Sequence, residues 1–578
     1  MSLLEKIGLP GEEAPLDSGR QLIRHGSDRG ASFGDRLSWR LHRLTWRSPF
    51  QALRRRAPLR LVAVPKDPVA GDKAAGEMLM KGRLVHRGRA LPLATVDFAD
   101  FSLPGDAVDR LHGFEWLRDL AAAATRERAA KIAEKAVERW LDAHAGHVSE
   151  PAWRPDLWGR RILFWTADAP YILSSRDPVY RGRVLTALAD GARHLDRHAD
   201  RAPHGLARLT AWAGLVTAAL VLQGGPVGLS RAEAGLMRAL AASVGEDGGL
   251  ASRSPAEQLA LVELLSQLRA AYNAGCQEPP EPVADALTGA VAALLGVTLG
   301  DEALSSWQGG NPLAPRRVAA ALEGSGVRTR PLRQARGWGY QRLEAKQAVI
   351  VVDAAPPPAA RVLSAGAAST LAFEMSDGAS RLVVNCGGAG RAADALPHDL
   401  VQALRTTAAH STLTLGDRNS TAIHDDGSLG KGVVQVEIAR DETGGVAQLE
   451  ASHDGYARRF GFVHQRQLTL AADGRELKGQ DVLVPAGRRR RGDGVGFSIR
   501  FHLAPAVEVA TTADGQGALL RIRGSTVWQF RCRGGRLAIE ESLWVDGEAA
   551  VHPTLQLVVS GETPRDGTTV AWTFRRAA

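Results

Sequence analysis

Near residue 330 the apolar residues of this 578-residue chain stop recurring at helical spacing and begin to alternate, so the sequence is expected to fold as two domains of different class. Before the switch, the stretch Ala107–Ala145 holds LRDLAAAATRERAAKIAEKAVERWLDA, rich in strong helix formers. Further helices are predicted over Pro178–His198, Leu206–Gln223, Ser230–Val244, Pro255–Asn273 and Pro282–Leu295, each closed by Gly or Pro. Ser230-Arg-Ala-Glu reads as a capping box. Helices of similar length on short connections predict an all-α array over residues 36–325, and the polar, Gly-rich residues 1–35 are expected to be loosely attached.

After the switch the segments 349–354, 381–386, 411–416, 433–439, 466–473, 497–503, 519–524, 528–534, 537–545, 555–561 and 570–576 alternate or run β-branched. Asp377-Gly378, Asp473-Gly474, Asp514-Gly515, Gly534-Gly535 and Asp546-Gly547 separate them as hairpin signals. Residues 330–578 are therefore expected to form a large antiparallel sandwich, with the Pro-rich 354–360 and the Arg-rich 487–494 as loops.

Charge and composition exclude several classes. A formal charge of +9 suggests nucleic acid, but the 72 basic residues include only 9 Lys, and the arginines are spread evenly instead of being clustered on a stripe. No nucleic-acid partner is expected. The most apolar run, Leu209–Leu222, is too short to span a bilayer and carries two threonines, and the first residues lack the basic-then-apolar pattern of a secretory signal, which predicts a soluble chain. Cys276, Cys386 and Cys532 are too few and too far apart for a disulfide framework or a zinc ribbon. Trp39 and Trp46, among arginines, either pack on the helical domain or mark a membrane-surface helix.

Ala408-Ala409-His410-Ser411-Thr412-Leu413-Thr414-Leu415 lies downstream of Leu382-Val383-Val384-Asn385-Cys386-Gly387. With Asp247-Gly248-Gly249, Glu450–Tyr456 and Val463-His464-Gln465-Arg466, this pattern resembles the heparinase II/III family of polysaccharide lyases. The resemblance implies an α+β two-domain chain: an N-terminal (α/α) toroid of helical hairpins, then a large antiparallel β-sandwich domain. It also implies β-elimination on a uronic-acid polysaccharide, with a group that neutralises the carboxylate and a base and acid that move the protons. On that reading His410 and Tyr456, with His204 on the toroid side, handle protons, and Arg253, Arg405, His453, His464 and Arg466 bind an acidic polysaccharide.

Each residue has a plainer alternative: His410 as a packed strand-entrance histidine, His204 as a capping histidine, Arg253 in a solvated loop, His453-Asp454-Gly455-Tyr456 as a β-turn, and His464 with Arg466 on a solvent face. The sequence also departs from the family pattern. Ala365 and Ala367 stand where the resemblance implies two metal-binding histidines, and Asn385 where it implies an aspartate. No tyrosine follows Asp247-Gly248-Gly249 before Tyr272, which is expected on a buried helix face. No metal or other cofactor is therefore expected. The expected function is a lyase-like protein acting on acidic polysaccharide, and the alternative is a non-catalytic polysaccharide-binding or envelope-assembly protein on the same scaffold. Family lyases are exported to the periplasm or envelope, whereas this N-terminus is equally compatible with the cytoplasm.

Overall fold

The computed structural model describes residues 16–17, 19–24, 59–86, 89–100, 103, 105–363, 365–390, 396–425, 427–486, 494–522 and 526–577. Trp39, Trp46 and the arginine run at 487–493 lie outside the described residues. The fold is an (α/α) toroid followed by an antiparallel β-sandwich domain.

Helices Pro178–His198, Leu206–Val221, Leu229–Ser243, Pro255–Ala274 and Glu281–Gly296 stand where the apolar period places them. Ala107–Ala145 is three helices instead of one: Gly105–Gly113, Trp116–Ala123 and Arg126–His144. Phe114 takes a left-handed φ of 60° at the first break, and Thr125 is extended at the second. Ser230 is no cap, since Gly228 precedes the helix and no side chain bonds its first turn. Pro155–Ala167, which the periodicity does not reveal, is buried on nearly every face and so lacks a polar stripe. It crosses Leu206–Val221 so closely that a Cβ on Gly159 would stand 2.2 Å from Thr210 O. None of the described helices is long and apolar enough to cross a membrane.

The β-domain packs two antiparallel sheets. In spatial order the nine-stranded sheet runs Gln21–Arg24, Gln435–Thr443, Val446–His453, Phe462–Leu470, Glu476–Pro485, Thr568–Arg576, Val527–Arg533, Gly517–Ile522 and Val507–Thr511. The other runs Arg536–Val545, Val551–Thr563, Val495–Leu503, Ser380–Val384, Phe373–Asp377, Ala348–Asp353 and Tyr340–Ala345, with Leu413–Leu415 paired beside Val495–Leu503. Phe373, Phe501, Phe530, Trp572 and Phe574 fill the space between them. Gln21–Arg24 joins the edge of the larger sheet and buries Ile23 there, a pairing that its polar flanks do not announce.

Candidate functional site

The two domains meet where Asp247-Gly248-Gly249 turns into Pro255–Ala274. Gly248 adopts φ +75°, and a Cβ on Gly249 would lie 2.2 Å from Trp338 Cγ, so this turn requires glycine for close approach. The Asp247 carboxylate accepts the N–H groups of Gly337 and Trp338 at 3.0 and 2.8 Å, and the Trp338 indole donates to Leu250 O at 2.9 Å.

Arg253 follows this turn with a left-handed φ of 57°, and its guanidinium enters the β-domain. Nε donates to Trp338 O at 2.8 Å, Nη1 to Pro356 O at 2.9 Å, and Nη2 to Asp353. Both charges are fully buried. Asp353 also accepts from Gln308 Nε2 at 3.2 Å and Ser369 Oγ at 2.6 Å, and Tyr340 OH donates to Arg253 O at 2.6 Å. Arg253 is thus not in a solvated loop, and the Pro-rich 354–360 is a loop buried in part beneath it. Nearby, Glu374 Oε1 accepts from Ser306 N and from Asn385 N and Nδ2 at 3.0–3.2 Å. Burial pushes Glu374 up to about 7, against the pull of Arg381.

His410 closes the short 3-10 turn Thr407–Ala409 just ahead of the strand Leu413–Leu415 and is 1% exposed. Its Nδ1 lies 2.7 Å from Thr406 O, and burial drives its pKa below the ordinary imidazole value. Tyr456 is equally buried, and its OH donates to Leu413 O at 2.9 Å. Burial raises that phenol far above its ordinary range.

His453, His464 and Arg466 face the interior between the sheets, not solvent. The carboxylate of Asp481 takes Arg466 Nε at 2.8 Å and Nη2 at 3.1 Å, His464 Nε2 at 2.8 Å, and the Trp572 indole at 2.8 Å. Although burial alone would raise Asp481, Arg466 and His464 hold it well below the carboxylate range. Arg466 Nη1 also donates to Leu371 O and Ser411 O at 2.7 and 2.8 Å. Arg405 is buried with Nε on Gly366 O at 2.9 Å. His204 stands apart: it is half-buried just before Leu206–Val221, with Arg208 Nη1 3.3 Å from its Nδ1. A Cβ on neighbouring Gly205 would come within 3.5 Å of Val362 in the β-domain, which places His204 at the junction.

The structure therefore gathers His453, Tyr456, His464 and Arg466 between the sheets and Arg253 at the domain junction, while His204 is not part of either cluster. Asp353, Gln308, Glu374 and Asp481 escape the sequence reading. Asp481 was findable: it occupies the inward parity of Leu477 and Leu483 in an alternating strand.

The zinc that the resemblance implies does not fit these residues. Ala365 and Ala367 offer no side-chain donor, and Ala367 N–H is bonded to Gln308 Oε1 at 2.9 Å. Asn385 Oδ1 already accepts Ser411 N–H at 3.0 Å, and its Nδ2 points at Glu374 and Ser306 O. Among the described residues no group of three His, Cys, Asp or Glu could hold a metal ion.

Residues 327–573 match the family model Heparinase II/III-like, C-terminal. The match covers the β-sandwich part of the chain. The whole architecture is that of the solved lyases. The Crystal Structure of Heparinase III aligns with TM-score 0.68 at 12% identity, covering 94% of this chain and 91% of that one. A mutant heparan sulfate lyase HepC from Pedobacter heparinus aligns with TM-score 0.60 at 15% identity, over 87% and 83% of the two chains. In sequence, the chain is 29% identical over 540 residues to FtsZ-localized protein C of Caulobacter vibrioides, covering 90% of this chain and 91% of the relative.

Proposed function

We propose that this heparinase-like chain is a binding protein on a polysaccharide-lyase scaffold, localised with FtsZ as its relative is, and that it does not perform β-elimination with the β-domain residues the sequence offers. One observation carries the reading: His410 and Tyr456 are both closed to solvent and bonded to main-chain carbonyls. A catalytic base must come within about 3 Å of the proton it removes. Neither side chain reaches a sugar ring without leaving its buried place. The domain junction holds a buried Arg253–Asp353 pair, which supports a joint more than a cleft. The extensive likeness to FtsZ-localized protein C supports FtsZ as the protein partner. An acidic polysaccharide, held without cleavage, is the second ligand that we propose for the scaffold.

The purified chain should retain purified FtsZ in a direct binding assay, equally well with His410→Ala or Tyr456→Phe. Absence of any retention would overturn the FtsZ reading. A lyase reading keeps one support, the half-buried His204 at the domain junction. It requires His204→Ala to abolish the formation of unsaturated uronate.

A further inference from the structure

The toroid rests on the smaller sheet, where Val297 and Trp307 pack against Tyr340, Val349 and Val351. The nine-stranded sheet therefore turns its outer face away from the toroid. Burial alternates along its strands, so the outward residues can be read from each of them.

The outward charges are sorted by sign. Gln435–Thr443 and Val446–His453, on one flank, turn out Glu437, Asp441 and Glu450. Thr568–Arg576 and Val527–Arg533, past the middle of the sheet, turn out Arg575, Arg531 and Arg533. Arg531 already meets Asp514 at 3.1 Å, but Arg533 and Arg575 meet no carboxylate among the described residues. Between the flanks Phe462–Leu470 presents Val463, Gln465, Gln467 and Thr469, none of them charged. On the central strand Glu476–Pro485, Lys478 is neutralised by Glu476 at 3.1 Å. Arg24 and Glu508, at the two extreme edges, carry the opposite signs. Leu22, Val484 and Leu519 are exposed apolar side chains of the same face.

We propose that this outer face binds a second copy of the chain as a twofold dimer, with Glu450 of each copy against Arg533 of the other. Sorted charge makes the face complementary to itself, and the strand register fixes the axis. Glu450 is level with Gln467, Gln480, Ala571 and Arg533 in one row across the sheet. Glu450 and Arg533 each stand two strands from Glu476–Pro485, on opposite sides. Rotation about an axis along that strand keeps the row level and exchanges the flanks, which sets acid on base. An axis across the strands would lay acidic flank on acidic flank, which repels. Within one chain the two residues are four strands, roughly 19 Å, apart and do not pair. Seven strands at about 4.8 Å spacing, each about seven residues long, make a plane of roughly 800 Å2. That is near the area a stable interface takes from each partner.

The test is sedimentation velocity of the full chain at micromolar concentration. We expect a dimer that dissociates as salt is raised, and monomers for Glu450→Arg and for Arg533→Glu alone. An equimolar mixture of the two variants should sediment as a dimer, because each contact again joins an arginine to a glutamate. Glu450→Lys and Arg533→Asp repeat the exchange if either variant does not fold. A monomeric wild type, single variants that still dimerise, or a mixture that stays monomeric overturns the proposal.

Discussion

His453 and His464 face each other as a directly opposed pair on adjacent antiparallel strands, with His453 Nε2 3.3 Å from His464 Nδ1. Their neighbours fix every proton. Gly455 N–H donates to His453 Nδ1 at 3.1 Å, so His453 carries its proton on Nε2 and gives it to His464. His464 then donates from Nε2 to the Asp481 carboxylate at 2.8 Å. Both imidazoles are neutral in this chain of bonds, and burial lowers the pKa of each. A one-way relay that ends on an ion pair stabilises the sandwich and leaves no lone pair for a substrate.

Acid should therefore weaken the fold early. The pKa values of His410, His453 and His464 lie below the ordinary value, with His502 at about 3, His144 at about 4 and His112 at about 2. The unfolded chain takes up these protons first, so the stability they contribute is complete above about pH 6.5 and is lost as pH falls through the folded values. Asp481, also lowered, adds to the loss at lower pH. Glu374 and Asp168, raised to about 7 and about 8, oppose it, since their contribution is present below the ordinary carboxylate range and is lost as pH rises through those values. Asp119, raised by burial, acts in the same sense as these two, and with six imidazoles against three carboxyls the urea midpoint should fall between pH 7 and pH 4. A midpoint that rises over that interval would show that the three acids dominate.

Asp481→Asn should cost about 3–5 kcal/mol, because Arg466 and His464 would remain buried without their carboxylate. Tyr456→Phe removes one hydroxyl–carbonyl bond and should cost only about 1 kcal/mol. Urea denaturation of the two variants at neutral pH measures the contrast.

Arg253→Leu should cost about 3–5 kcal/mol by leaving Asp353 buried and unpaired. Arg253→Lys should recover little of it, since one ammonium cannot meet Trp338 O, Pro356 O and the carboxylate from a single plane. Denaturation followed by tryptophan fluorescence reads both. Full recovery by lysine would mean that charge alone holds the junction.

The two-domain order and the strands were legible because binary patterning survives wherever one face is buried. The Val495–Leu503 and Phe462–Leu470 strands alternate as their sequences do. Pro155–Ala167 was not legible, since a helix buried all round loses its period. The burial of the candidate site residues was hidden for a related reason: His464 and Arg466 sit at inward parity beside Leu468 and Leu470, yet their polarity suggested a groove. Only their partner Asp481, two strand positions from Leu483 on the same face, turns that polarity into a buried network. Arg253 likewise becomes a junction residue only through Asp353, 100 residues away.

The most direct measurement is the ultraviolet absorbance of unsaturated uronates during incubation of the purified chain with heparan sulfate, hyaluronan and alginate. With His410 and Tyr456 buried and bonded to the main chain, no absorbing product should form from any polymer. A steady rise with even one of them would contradict the assignment of this chain as a scaffold that binds without cutting.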